Sequence, residues 1–177
     1  MTDRFVILSG CSGGGKSTLL AELARRGHAV VEEPGRRIVR EEHASGGTAL
    51  PWVDAHAFID RAIAMSLADR AAMAGQAGWV FFDRGLIDAI SAREEMTGQP
   101  ALEEYGRQHR YHSTVFLTPP WPEIYETDAE RQHDFAQAER EYVRMVRDFG
   151  RLDYAVVEVP KLPVAARADF VLARLGA

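Results

Sequence analysis

Phe5-Val6-Ile7-Leu8-Ser9-Gly10-Cys11-Ser12-Gly13-Gly14-Gly15-Lys16-Ser17-Thr18 decides the reading of this chain. Phe5 to Leu8 is a continuous apolar run of the length of a buried strand. Gly10 to Ser17 then fits G-x-x-x-x-G-K-[ST], and Ser17 to about Arg26 reads as a helix. Strand, glycine loop, Lys-Ser and helix in this order predict a phosphate-binding loop.

The spacing has a physical cause. A loop wrapped around a polyphosphate turns successive backbone N–H groups inward, through dihedrals that Gly10, Gly13, Gly14 and Gly15 reach cheaply. Ser12 and Thr18 complete the cradle, and the free N–H groups at the start of the helix add an anion site. Lys16 is expected to reach the β and γ phosphates. The Ser17 hydroxyl is placed to ligate Mg²⁺, an ion that takes few protein ligands and shares the phosphate oxygens.

At 177 residues the chain has the length of one domain and no linker or repeat divides it. With 21 basic against 26 acidic side chains its formal charge is -5, which speaks against a general nucleic-acid surface. Cys11 is the single cysteine, so no internal disulfide can form and a reducing, cytoplasmic setting is expected. No run approaches the length of a membrane span, and the N-terminus lacks a basic segment followed by a long apolar one. The six histidines show no metal-ligand spacing with cysteines or acids, so no zinc site is expected.

Outward from the loop, strands alternate with helices. Strands are expected at His28–Glu33, Trp79–Phe82, Ser113–Leu117 and Tyr154–Val159. Apolar residues at three and four residue steps (Ala55, Phe58, Ile59, Ala62, Ile63, Leu67) predict a helix from Trp52 to about Met73. Further helices are expected at Leu86–Met96, after Pro100, along a face bearing Phe135, Tyr142, Val143, Val146 and Phe149, and at Val164–Leu175. The pattern predicts an α/β domain with a five-stranded parallel sheet, and ligands collect at the carboxyl ends of such strands.

Two acidic positions fall at that edge. Asp83 follows four apolar residues, so a buried strand would deliver its carboxylate beside the loop, to hold Mg²⁺ directly or through water; a helix N-cap is its other reading. Arg84 is a permanent cation suited to a phosphate or to an ion pair. Glu33 ends the second strand and is the candidate general base for an incoming hydroxyl. Glu32 competes with it, because alternation sends the two side chains to opposite faces. Trp52 and Phe58 fit either an acceptor stack or the core.

These motifs resemble the P-loop nucleoside and nucleotide kinases, especially the thymidylate and deoxynucleoside kinases, in Gly10–Thr18, Glu33-Pro34-Gly35 and Asp83-Arg84. The chain is also similar to a bacterial family of predicted ATPases or kinases with an AAA-type P-loop label, itself similar to ribosylnicotinamide kinase domains. The resemblance rests there on Glu33-Pro34-Gly35-Arg36, Phe82-Asp83-Arg84-Gly85, Pro119-Pro120-Trp121 with Tyr125 and Arg131, and Val159-Pro160. The kinase resemblance implies the strand order 2-3-1-4-5 and a lid over Tyr125–Asp134 with Arg131 as its transition-state cation, and Arg140 as a second candidate. Leu67 stands where the thymidylate kinases carry a base-stacking phenylalanine.

The expected activity is phosphoryl transfer from ATP, with Mg²⁺, to a small-molecule acceptor such as a nucleoside, nucleotide or other hydroxyl compound. No Asn-Lys-x-Asp motif for reading guanine is present, which favours ATP and leaves GTP open. The alternatives are a nucleotide-gated switch or slow NTPase with a protein or lipid partner, and a nucleotidyl or hydrolytic enzyme. Oligomeric state is left open by the motifs.

Overall fold

The computed structural model describes residues 3–124 and 135–176. Strand β1 (Phe5–Gly10) is buried along its whole length, as a strand covered on both faces must be. It lies at the centre of a parallel five-stranded sheet with β2 (Ala29–Val31), β3 (Val80–Asp83), β4 (Thr114–Thr118) and β5 (Ala155–Glu158), in the order β2-β3-β1-β4-β5. This is the expected order. Register pairs Leu8 with Asp83 and Gly10 with Thr118, so β1, β3 and β4 end along one edge.

Side-chain alternation divides the core in two. Val6, Leu8 and Phe81 join Leu19 and Leu23 of α1 (Lys16–Arg25) and Val171 of α7 (Val164–Leu175). Phe5, Ile7 and Phe82 face the other way, toward Ile63 of α3 (Ala55–Ala72), Ile87 and Ile90 of α4 (Leu86–Thr97), and Met145 and Phe149 of α6 (Phe135–Arg151). Each fully buried large apolar side chain contributes roughly 1.5–3 kcal/mol, so the sheet is held from both sides. Helix α5 (Leu102–Gln108) packs on α4. Among the described residues no helix is long and apolar enough to cross a membrane.

Two elements depart from expectation. Strand β2 stops at Val31, so Glu33 does not end it but stands at the N-cap of α2 (Pro34–Ser45), a helix the pattern did not predict. Pro34 is the first residue of that helix, where its fixed φ suits a helix and its missing N–H costs nothing. The α6 face also differs: Ala138, Met145, Asp148 and Phe149 are buried, whereas Val143 and Val146 are exposed. Phe149 and Tyr142 of the expected face do pack into the core, and packing turns the buried side of α6 from Val143 and Val146 toward Ala138, Met145 and Asp148.

Candidate functional site

Gly10 ends β1 at φ 115° and passes so close to β4 that a Cβ there would lie 2.3 Å from the Thr118 carbonyl oxygen. Gly15, at φ 77°, turns the chain into α1. Between them the loop folds over Lys16, which is buried and whose Nζ donates to the Cys11 carbonyl at 2.5 Å. Burial and the neighbouring Arg84 cation lower the Lys16 pKa. Such a cation gains from an arriving anion. Cys11 is buried, and burial pushes its thiol pKa up, which disfavours the reactive thiolate.

Asp83 closes β3 next to the loop. Its Oδ2 accepts the Ser17 hydroxyl at 3.4 Å, and its Oδ1 is buried with no hydrogen-bond partner. Burial and the Glu33 charge push its pKa up to about 6. The N-cap of α4 is Gly85, whose N–H donates to Asp88 Oδ2 at 2.9 Å, so Asp83 does not cap that helix. A hydroxyl beside a carboxylate with an orphaned oxygen is a hard-oxygen donor set that fits Mg²⁺.

Arg84 follows at φ 60°, a left-handed conformation uncommon outside glycine, and such strain collects at functional positions. Its guanidinium meets Glu33 Oε1 at 3.2 Å, Glu141 Oε1 at 2.9 Å and Asp88 Oδ1 at 3.8 Å. Burial alone would lower its pKa, yet Glu141, Glu33 and Asp88 raise it. Glu33 faces inward, beside Arg36 Nε at 3.3 Å. Glu32 points outward to Arg40 at 2.7 Å.

Two cavities open on this cluster. The larger, about 730 Å³, runs from Gly13, Lys16 and Thr18 to Trp121 and α7. There Arg167 donates to the Gly15 carbonyl at 3.0 Å and lies 5.5 Å over the Trp121 ring. The smaller, about 150 Å³, lies among α2, α3 and α4 and carries Phe58 and Ser66 on its wall. Ser12, Glu33 and Arg36 line both.

Trp52 is exposed, and Leu67 packs against the core rather than the cavity. Arg140 is exposed on α6. Arg131 and the lid expected over Tyr125–Asp134 lie outside the described residues. Sequence reading missed Glu141, Arg167 and Ser66. Spacing gave a signal for Glu141, which falls on the same side of α6 as Ala138 and Met145.

The fold and site define a P-loop domain of the nucleoside and nucleotide kinase architecture. The family model described as AAA domain (AAA_28) matches residues 5–167, and the chain belongs to that family. Deoxyadenosine kinase from M. mycoides with bound dATP superposes with a TM-score of 0.63 at 14% identity, covering 98% of this chain and 100% of that one. Thymidylate kinase from Ehrlichia chaffeensis gives 0.62 at 15%, covering 100% of both chains. NadR protein in complex with NAD and AMP-PNP gives 0.67 at 19%, covering 99% of this chain, which spans 50% of NadR. No curated protein matches the chain.

Proposed function

We propose that this protein is an ATP- and Mg²⁺-dependent phosphotransferase acting on a hydroxyl of a small molecule. The observation that carries this reading is the meeting of two cavities at Ser12, Glu33 and Arg36. A transfer enzyme needs separate donor and acceptor chambers that join where the phosphoryl group crosses. The larger chamber takes the nucleotide: Gly10, Ser12 and the residues from Gly13 to Thr18 cradle the phosphates, and the nucleoside extends toward Trp121 and Arg167. The acceptor enters the smaller one.

In the transfer the acceptor oxygen forms a bond to the γ-phosphorus and the bond to the β–γ bridging oxygen breaks, leaving its electron pair on ADP. Glu33 takes the hydroxyl proton. Lys16 and Arg84 offset the charge on the transferred group, and Arg131 is proposed to join them. Ser17 and Asp83 would hold Mg²⁺, which when bound neutralises charge on the β and γ oxygens.

The test is ADP release from ATP and Mg²⁺ across a panel of nucleosides, nucleotides, sugars and aminoalcohols, with Lys16→Ala as the blank. A compound that lifts release well above the basal rate supports transfer. A flat panel alongside tight nucleotide binding supports the second reading, a nucleotide-gated switch. One observation favours that reading: Glu141 of α6 contacts the loop at Ser12, so occupancy of the loop would act on the helix that follows residues 125–134.

A further inference from the structure

The smaller cavity restricts what can be phosphorylated. Its walls are largely apolar: Val39 of α2, Phe58, Ile59 and Ala62 of α3, and Ala89 and Ala92 of α4. At about 150 Å³ it has the volume that an engineered apolar cavity offers to a benzene ring. It is sized for one six-membered ring, and the second ring of a fused pair would project into the mouth it shares with the larger cavity.

The polar groups divide between one hydroxyl on the inner wall and a ring of charged side chains at the mouth. Ser66 is 3% exposed, lines the cavity, and its Oγ is buried with no hydrogen-bond partner. An unpaired buried hydroxyl costs about 1–3 kcal/mol, which a ligand that pairs with it recovers. At the mouth Arg36, Arg84 and Arg144 stand against Glu33, Asp88 and Glu141, so the formal charges balance. A neutral acceptor preserves this balance, while a phosphorylated one adds charge beside two glutamates that already engage Arg84.

We infer that the acceptor is a neutral alcohol carrying a single six-membered ring, seated on Phe58 and Ile59 with one polar ring substituent on Ser66 and its hydroxyl toward Glu33. The inference rests on the phosphotransfer reading for its chemistry and on the cavity alone for its shape.

The experiment measures two quantities on the whole chain. Binding is read by saturation-transfer NMR with 3-pyridinemethanol and benzyl alcohol as single-ring probes, 2-naphthalenemethanol as a two-ring probe and 4-(hydroxymethyl)phenyl phosphate as a charged one. Turnover is read as ADP release with the same compounds. Single-ring neutral alcohols are expected to bind and to raise ADP release by about tenfold or more over the two-ring and charged compounds. Ala62→Leu, which fills the cavity, should remove their binding while ATP binding is retained. Ser66→Ala, too small a change to unfold the chain, should weaken binding by about three- to tenfold.

Failure of the single-ring probes to bind, or 2-naphthalenemethanol or 4-(hydroxymethyl)phenyl phosphate matching them, overturns the inference. Binding sensitive to Ala62→Leu but without ADP release upholds the cavity's selectivity and overturns the phosphotransfer reading instead.

Discussion

Glu141 Oε2 accepts the Ser12 backbone N–H at 3.3 Å while its Oε1 holds Arg84 at 2.9 Å, so a carboxylate of α6 sits on the phosphate loop itself. Burial pushes the Glu141 pKa up, but Arg84 and Lys16 outweigh it and hold the carboxyl below its ordinary value. It is therefore an anion in the place of an anion. Like charges 4 Å apart near a protein surface repel by about 4 kcal/mol before relaxation, and Glu141→Gln removes that repulsion while keeping an acceptor for Ser12. Calorimetric titration should show ATP binding at least about fivefold tighter in Glu141→Gln. Weaker binding would mean that the carboxylate serves to hold Arg84 in place.

Lys16→Ala separates activity from stability. The ammonium is buried with a lowered pKa, so the empty loop gains little from it. Its worth appears when phosphates arrive, and loss of one preorganised charge at a transition state costs about 100- to 1,000-fold in rate. Nucleotide-dependent turnover should fall on that scale, with the melting temperature of the nucleotide-free protein unchanged or raised. A clear drop in melting temperature would contradict the assignment.

Asp83 gives a pH test. Its pKa in the folded chain stands near 6, above the ordinary 3.8, so between pH 4 and 6 the folded state binds more protons than the unfolded one. Stability contributed by this group is thus present below pH 4, falls as pH rises through 6, and stays lost above it. Asp83→Asn should stabilise the metal-free protein at pH 8 by on the order of 1–3 kcal/mol and leave it near wild type at pH 4. Chemical denaturation at both pH values reads this out. The same variant should lose the thermal stabilisation that Mg²⁺ and ATP together confer.

How much of this was legible beforehand follows from what carries each feature. The phosphate loop and the β3 edge were readable because backbone geometry requires glycines at Gly10 and Gly15 and because Val80 to Phe82 is apolar without interruption. Alternation of strands and helices gave the parallel sheet, while the strand order came with the kinase resemblance. Glu141 was only partly readable: it falls on the side of α6 that carries Ala138 and Met145, but the apolar pattern drew the expected face through Val143 and Val146, and packing turns the buried side away from them. Ser66 was hidden for a related reason: a serine within a helical run carries no sign that its hydroxyl is left unpaired. Arg167 reaches Gly15 across 152 positions of sequence, a pairing that no local pattern encodes.

Glu33 and Glu32 are adjacent and chemically alike, and the fold turns them apart. The Glu33 side chain is 21% exposed, touches Arg84 and lines both cavities; that of Glu32 is 48% exposed and pairs with Arg40 outside them. A general base contributes typically 100- to 10,000-fold, so Glu33→Gln should lower acceptor-dependent kcat by at least about 100-fold. ATP affinity should change little, because the amide keeps the size of the side chain and lies at the far end of the phosphates. Glu32→Gln breaks only an exposed ion pair worth about 0–1 kcal/mol and should leave kcat within about threefold of wild type. Steady-state rates for the two variants, measured beside ATP binding, distinguish a base from an anchor for Arg84: an anchor would lose ATP affinity together with kcat, and a base loses kcat alone.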